Sequence, residues 1–156
     1  MFDLKEVYVK VFRAIRDDRT LLGLLEIEIG EDYNEFLTVL RDRVIDSPNP
    51  DDLLNNNATR ICIYENPSGQ YMNTDVGYIR IDIHITQDKN ALDRRVLKII
   101  KRLVEILDTK ERKLQGLPRL NIGLDDLEFY QRLPAQQTSY SGWDKYSLLF
   151  RYKYIF

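Results

Sequence analysis

"YIRIDIHIT", residues 78–86, decides how the rest of the chain is read. Ile79, Ile81, Ile83 and Ile85 alternate with Tyr78, Arg80, Asp82, His84 and Thr86. A period of two sorts these residues onto one apolar and one polar side of an extended strand. The apolar side requires a core. The polar side can face solvent, an active site or another copy of the chain, and the remaining sequence must narrow that choice.

The chain has 156 residues and a formal net charge of −2, with 23 basic and 25 acidic residues. This length suits one domain, read over 1–156, able to bury roughly 70% of the surface its unfolded chain exposes. A hydrophobic share of 44% beside 31% charge describes a globular chain. No basic excess marks a nucleic-acid binder. No run reaches the roughly 20 apolar residues of a membrane span. The start, "MFDLKEVYVKVF", carries charges where a secretory signal has an apolar block.

Immediately before the opening stretch, "RICIYE" (60–65) reads as a strand, joined to it through "NPSGQYMNTD" as a hairpin with a long loop. Cys62, the sole cysteine, reads as a buried small hydrophobe; it excludes an intrachain disulfide and fits a reducing compartment. Immediately after, residues 90–113 form the clearest helix, capped by Asn90. Leu92, Val96, Ile99, Ile100, Leu103 and Leu107 make its apolar stripe, and Gly116 and Pro118 close it.

Further out, Asp3 and Glu6 cap a first helix whose face is Leu4, Val7, Val11, Ala14 and Ile15, ending at Asp17 and Asp18. "TLLGLLEIEIG" leaves a short helix or an extended piece open. "DYNEFLTVLRDRVI" (32–45) reads as a second helix with Tyr33, Phe36, Leu37, Leu40 and Val44 as its stripe. Residues 46–59, rich in Pro and Asn, read as an exposed loop. "LDDLEFYQRL" and "KYSLLFRYKYIF" read as a second hairpin around the loop "PAQQTSYSG". The expected fold is therefore α+β: an antiparallel four-stranded sheet with helices packed on one face.

Chemical signatures are sparse. One His and one Cys cannot build the usual His/Cys zinc site. The acidic pairs at 17–18, 51–52 and 125–126 lack calcium-loop spacing. No G-x-S-x-G, G-x-G-x-x-G or G-K-[ST] motif occurs, and His84 has no Ser or Cys beside it. His84 is expected at a surface or interface. "DTK" and "ERK" at 108–113 lie at a helix end and read as chance. Arg94, Arg95, Lys98, Lys101 and Arg102 form a basic helix face among Asp93, Glu105, Asp108 and Glu111. It reads as solvated, with intrahelical ion pairs, and the competing use is contact with phosphates.

The second sheet face remains. It is expected to gather Arg80, Asp82, His84, Glu128, Tyr130, Arg132, Arg151 and Lys153. Mixed charges with tyrosines suit an intersubunit or channel-facing surface, and plain solvent exposure suits them equally. A small ligand-binding or enzymatic domain using this face around Asp82 and His84 is the alternative. It would need a concave pocket there.

The order of parts resembles the tail terminator, or tail-completion, proteins of long-tailed bacteriophages. A helix ends in an acidic pair followed by leucines, "RAIRDDRTLLGLL". "RICIYE" leads through a variable loop to "YIRIDIHIT", the long helix "ALDRRVLKIIKRLVEIL" follows, and "YSLLFRYKYIF" ends the chain. The segment from about Glu31 to Thr59 departs from the family's compact pattern and reads as an insertion. The resemblance implies a non-enzymatic virion assembly protein with no cofactor. It implies a homo-oligomeric ring, a hexamer, that caps the tail tube and joins it to the head or neck. The implied partners are the tail tube protein and a head or neck connector. The implied place is the virion, after assembly in the bacterial host cytoplasm.

Overall fold

The computed structural model describes residues 4–50, 57–65, 76–120, 127–138 and 141–153. In chain order the elements are α1 (Leu4–Arg16), α2 (Arg19–Leu24), α3 (Tyr33–Arg43), β1 (Val44–Ile45), β2 (Arg60–Glu65), β3 (Val76–Thr86), α4 (Gln87–Asp93), α5 (Arg95–Leu107), α6 (Thr109–Leu114), β4 (Glu128–Gln137) and β5 (Trp143–Lys153). The class is α+β, but the sheet has five strands rather than four, ordered β1-β2-β3-β5-β4. The fifth strand comes from the end of the expected second helix. Val44 is extended (φ −118°, ψ 105°), and Val44 and Ile45 pair in parallel with Ile61 and Cys62. Two consecutive β-branched residues prefer that pleated environment to another helical turn.

The remaining pairings are antiparallel. One buried cluster takes Val7, Val11 and Ile15 from α1, Leu21 and Leu22 from α2, and Phe36 and Leu40 from α3. The sheet adds Ile79, Ile81, Ile83, Ile85, Leu148 and Phe150, and α5 adds Val96, Ile99, Ile100, Leu103, Ile106 and Leu107. The isoleucines of the opening stretch thus share a core with the helix that follows them. Within the segment read as an insertion, Phe36 and Leu40 of α3 and Val44 belong to this core. Within the expected exposed loop, Ala58 and Thr59 are buried: Arg43 Nη1 ties the Thr59 carbonyl (3.3 Å) and the Leu25 carbonyl (3.1 Å) together. Residues 51–56, and the cap expected at Asp3, lie outside the described residues. "TLLGLLEIEIG" begins as helix α2, capped by Asp18, which accepts from the Leu21 N–H.

The long helix expected over 90–113 is three helices. Arg94 takes a left-handed conformation (φ 51°) between α4 and α5, and Asp108 is extended between α5 and α6. Asn90 still acts as a cap, but across the break: its Oδ1 accepts from the Val96 N–H at 3.2 Å, inside the first turn of α5. Glu26 braces the same junction, pairing with Lys89 of α4 (3.6 Å) and Arg95 of α5. Asp108 caps α6 through the Glu111 N–H and holds the Phe129 N–H of β4 with its other oxygen (2.8 Å). Gly116, at φ +73°, ends the helical run as expected. No described helix is long and apolar enough to cross a membrane.

Gly77 has a packing role. It pairs with Tyr152, whose ring lies where a Cβ on Gly77 would be. Tyr152 is buried in the core, so it cannot swing into solvent to make room. Gly77→Ala is therefore expected to destabilise the fold by about 1–3 kcal/mol through overpacking, read as a lower urea midpoint at unchanged slope.

Candidate functional site

Cross-strand partners in an antiparallel sheet share a face. The register therefore puts Arg60, Cys62 and Tyr64 of β2 beside His84, Asp82 and Arg80 of β3, and places Lys145, Ser147 and Leu149 of β5 on their other side. This is the face opposite the isoleucines. Its centre is buried within the chain rather than solvated. Asp82 and Ser147 are fully buried, and Arg60 is 1% exposed. His84, expected at a surface or interface, is buried within the chain itself at 5% exposure. Tyr64 and Arg80 reach in to the Asp82 carboxylate, and Arg80 also to Ser147. Strand periodicity reports which side a residue faces, not what covers that side.

Three zones follow along the face. At its centre the Asp82 carboxylate accepts from Tyr64 Oη (2.5 Å), Arg80 Nε (2.9 Å) and Ser147 Oγ (2.6 Å). Arg80 also donates to Ser147 Oγ at 3.0 Å, closing the network across β2, β3 and β5. Burial, then the hydrogen bond to Asp82, pushes the Tyr64 hydroxyl well above its ordinary range. Burial and the Asp82 charge push the Cys62 thiol up to about 12, so Cys62 stays an inert thiol, as its apolar neighbours suggested. Three donors from three strands thus converge on one carboxylate.

Toward one end, Tyr78 meets Tyr130 edge-on (5.2 Å between centroids). Arg151 lies over the Tyr130 ring (5.5 Å) and pairs with Glu128 (3.1 Å). Three of the candidate residues, Glu128, Tyr130 and Arg151, thus gather here with Tyr78, but Arg132 does not join them. An irregularity between Phe129 and Gln131 adds one residue to β4, so Gln131 opposes Leu149 and Arg132 opposes Leu148 on the helix-side register. A one-residue bulge reverses the facing of everything beyond it. A second shift, between Leu133 and Gln136, spans Pro134, a residue tolerated at a bulge of an edge strand. Lys153 opposes Val76 in register, and its side chain lies outside the described residues.

Toward the other end, Arg60, His84 and Lys145 form one row across β2, β3 and β5. Burial lowers the His84 pKa to about 4. Lys145 and Arg60 push the same way and Asp82 opposes them, so the imidazole is neutral at neutral pH. Sequence reading missed Arg60 and Tyr64 as members of this face; alternation in the last strand puts Lys145 and Ser147 on its polar side, although they were not among the candidate residues. The alternation of "RICIYE" against "YIRIDIHIT" carried the signal for the first two.

Of the basic helix face, Arg94, Lys98 and Lys101 are exposed, while Arg95 and Arg102 form ion pairs with residues outside the helix. Arg102 grips the Asp18 carboxylate with Nε (2.8 Å) and Nη2 (2.5 Å), and only its Glu105 contact is intrahelical. Burial raises the Asp18 carboxyl, but Arg102 and the Leu21 N–H outweigh it and hold the pKa below the ordinary value. Of the acidic pairs, Asp17 pairs with Arg16 and Asp18 with Arg102, while 51–52 and 125–126 lie outside the described residues. Among the described residues no group of three or more His, Cys, Asp or Glu side chains is placed to hold a metal ion.

No protein-family model matches the chain, and no curated protein is significantly similar to it. Its fold is similar to that of a chain in the virion of a native gene transfer agent particle. The TM-score is 0.55 at 14% identity, covering 94% of this chain and 92% of the other. At that identity the likeness defines a shared fold, over nearly the full length of both chains.

Proposed function

We propose that this chain is a structural virion assembly protein of the tail-terminator or tail-completion type. Copies form a ring, a hexamer, that caps the tail tube and joins it to the head or neck connector. The observation that carries the reading is a likeness of fold, extending over 94% of this chain, to a chain in the virion of a gene transfer agent particle. The order of parts around "RICIYE", "YIRIDIHIT" and the helix that follows supports it independently. A ring requires a heterologous contact whose rotation closes, and mixed-charge surfaces with aromatic anchors can supply one. The exposed Tyr130, stacked with Tyr78 and Arg151, is such an anchor. This reading assigns the protein no catalytic step and no cofactor. The three donors held by Asp82, the carboxylate nearest His84 on this face, support that assignment.

The test is assembly. Tube protein polymerised with this chain should give tubes that stop growing and carry a ring-shaped cap at one end in electron micrographs. Bare tube ends and an unchanged length distribution would contradict the reading.

A further inference from the structure

We propose that the cavity between α1, α5 and the segment closing α6 binds an acidic stretch of a partner protein, one that sets a carboxylate side chain beside an apolar one. The cavity measures about 410 Å³ and is formed by a single copy of the chain. Its apolar part is Ala14, Ile106, Leu117 and Leu120, and Leu117 is 38% exposed. Its charged part sets Lys10, Arg13, Arg102 and Arg112 against Asp17 and Asp18, four cations less two acids, a net charge of +2. The whole chain carries −2, so the sign is reversed locally.

The ion pairs around the cavity leave two of its cations unanswered. Lys10 pairs with Glu6, one turn away. Asp17 is held by Arg16 through both oxygens, at 2.8 and 3.2 Å. Asp18 is held by Nε and Nη2 of Arg102. Arg13 and Arg112 pair with no acid among the described residues. Arg112 is half-buried, and its Nε and Nη1 donate to the Pro118 and Ile106 carbonyls, both at 2.6 Å. Those bonds aim the guanidinium and supply no negative charge. Burial lowers its pKa and no acid opposes that shift, yet a guanidinium stays protonated at any working pH. A carboxylate reaching Nη2 would form a charge-assisted bond and answer the charge.

The cations and the apolar floor select the occupant together. A phosphate would meet the cations but make no use of Ile106, Leu117 and Leu120. A nucleic-acid backbone calls for a run of phosphate contacts rather than a cavity. A purely apolar segment would cover the leucines and bury Arg112 without a counter-charge. A segment carrying both kinds of side chain suits both parts of the cavity. One copy holds the whole site, so the proposal does not depend on ring formation.

The probe is the peptide acetyl-Leu-Glu-Leu-Glu-Leu-amide, titrated into the isotopically labelled full chain. The Arg112 Nε–H signal and the backbone amides of the lining residues report binding by NMR. Saturable shifts at these signals are expected. The counterpart acetyl-Leu-Gln-Leu-Gln-Leu-amide should bind about tenfold more weakly. Arg13→Gln, an exposed substitution that leaves the core untouched, should weaken the acidic peptide about fivefold. Arg112→Gln should weaken it further; because it also removes two carbonyl bonds, Arg13→Gln is the deciding variant. No saturable shift at millimolar peptide, equal binding of the two peptides, or indifference to Arg13→Gln overturns the proposal. Inorganic phosphate displacing the peptide at equal ionic strength overturns it in favour of a phosphate site. The same shifts on concentrating the protein alone overturn it in favour of a second copy.

Discussion

Asp82→Ala is expected to cost the fold about 3–5 kcal/mol, the usual consequence of removing one partner from a buried charge pair. Three donors lose their acceptor together: Arg80 Nε, Tyr64 Oη and Ser147 Oγ. Ser147 is fully buried, and the Arg80 side chain is only 18% exposed, so water cannot readily replace the carboxylate. Asp82→Asn keeps the shape but leaves the guanidinium charge unanswered, so a large part of the loss should persist. Adding Arg80→Ala to Asp82→Ala should recover part of it, because the double variant no longer buries an unpaired cation. Urea denaturation of the wild type, Asp82→Ala, Arg80→Ala and the double variant measures the cycle. Strict additivity would show that the pair is not coupled.

The second large effect is a dependence on pH. The His84 pKa is about 4 in the fold against 6.5 in the open chain. Between those values the unfolded chain takes the proton and the folded chain does not. Stability is therefore complete above about pH 6.5, falls as pH drops toward 4, and levels off below. The full loss is about 3 kcal/mol, and about 2 kcal/mol of it falls between pH 6.5 and 5. Asp18 and Glu26 have lowered pKa values, so their stabilisation is lost only at lower pH, below their ordinary values of 3.8 and 4.5. Denaturation of dilute protein in carboxylate-free buffers at pH 7, 6 and 5 should show the slope. His84→Leu, which cannot titrate, should flatten it, and a slope surviving that substitution would assign the effect to other groups.

Much of this architecture was legible because two periodicities run cleanly. The isoleucines of 79–85 and the stripe from Val96 to Leu107 fixed a strand and a helix that share a core, and both are buried as the patterns require. Breaks in those patterns were less legible. The left-handed Arg94 sits in a run of good helix formers, and nothing local announces it; its support is tertiary, from Glu26 and Asn90. Val44 carried helical spacing, yet its β-branched side chain found a strand edge at Ile61. Arg132 alternated correctly until the bulge at β4 moved it. The polar face was legible as a face but not as an interior. The donors that hold Asp82 come from β2 and β5 as well as β3, and reading one strand at a time does not place them beside it.

Self-association through closed, repeated contacts is central to the proposed role. Native mass spectrometry across a concentration series, with and without assembled tail tubes, tests this directly. The expected result is a closed ring of six copies, formed by the chain alone or on contact with tube ends. A strict monomer at every concentration that also fails to associate with tubes would contradict it.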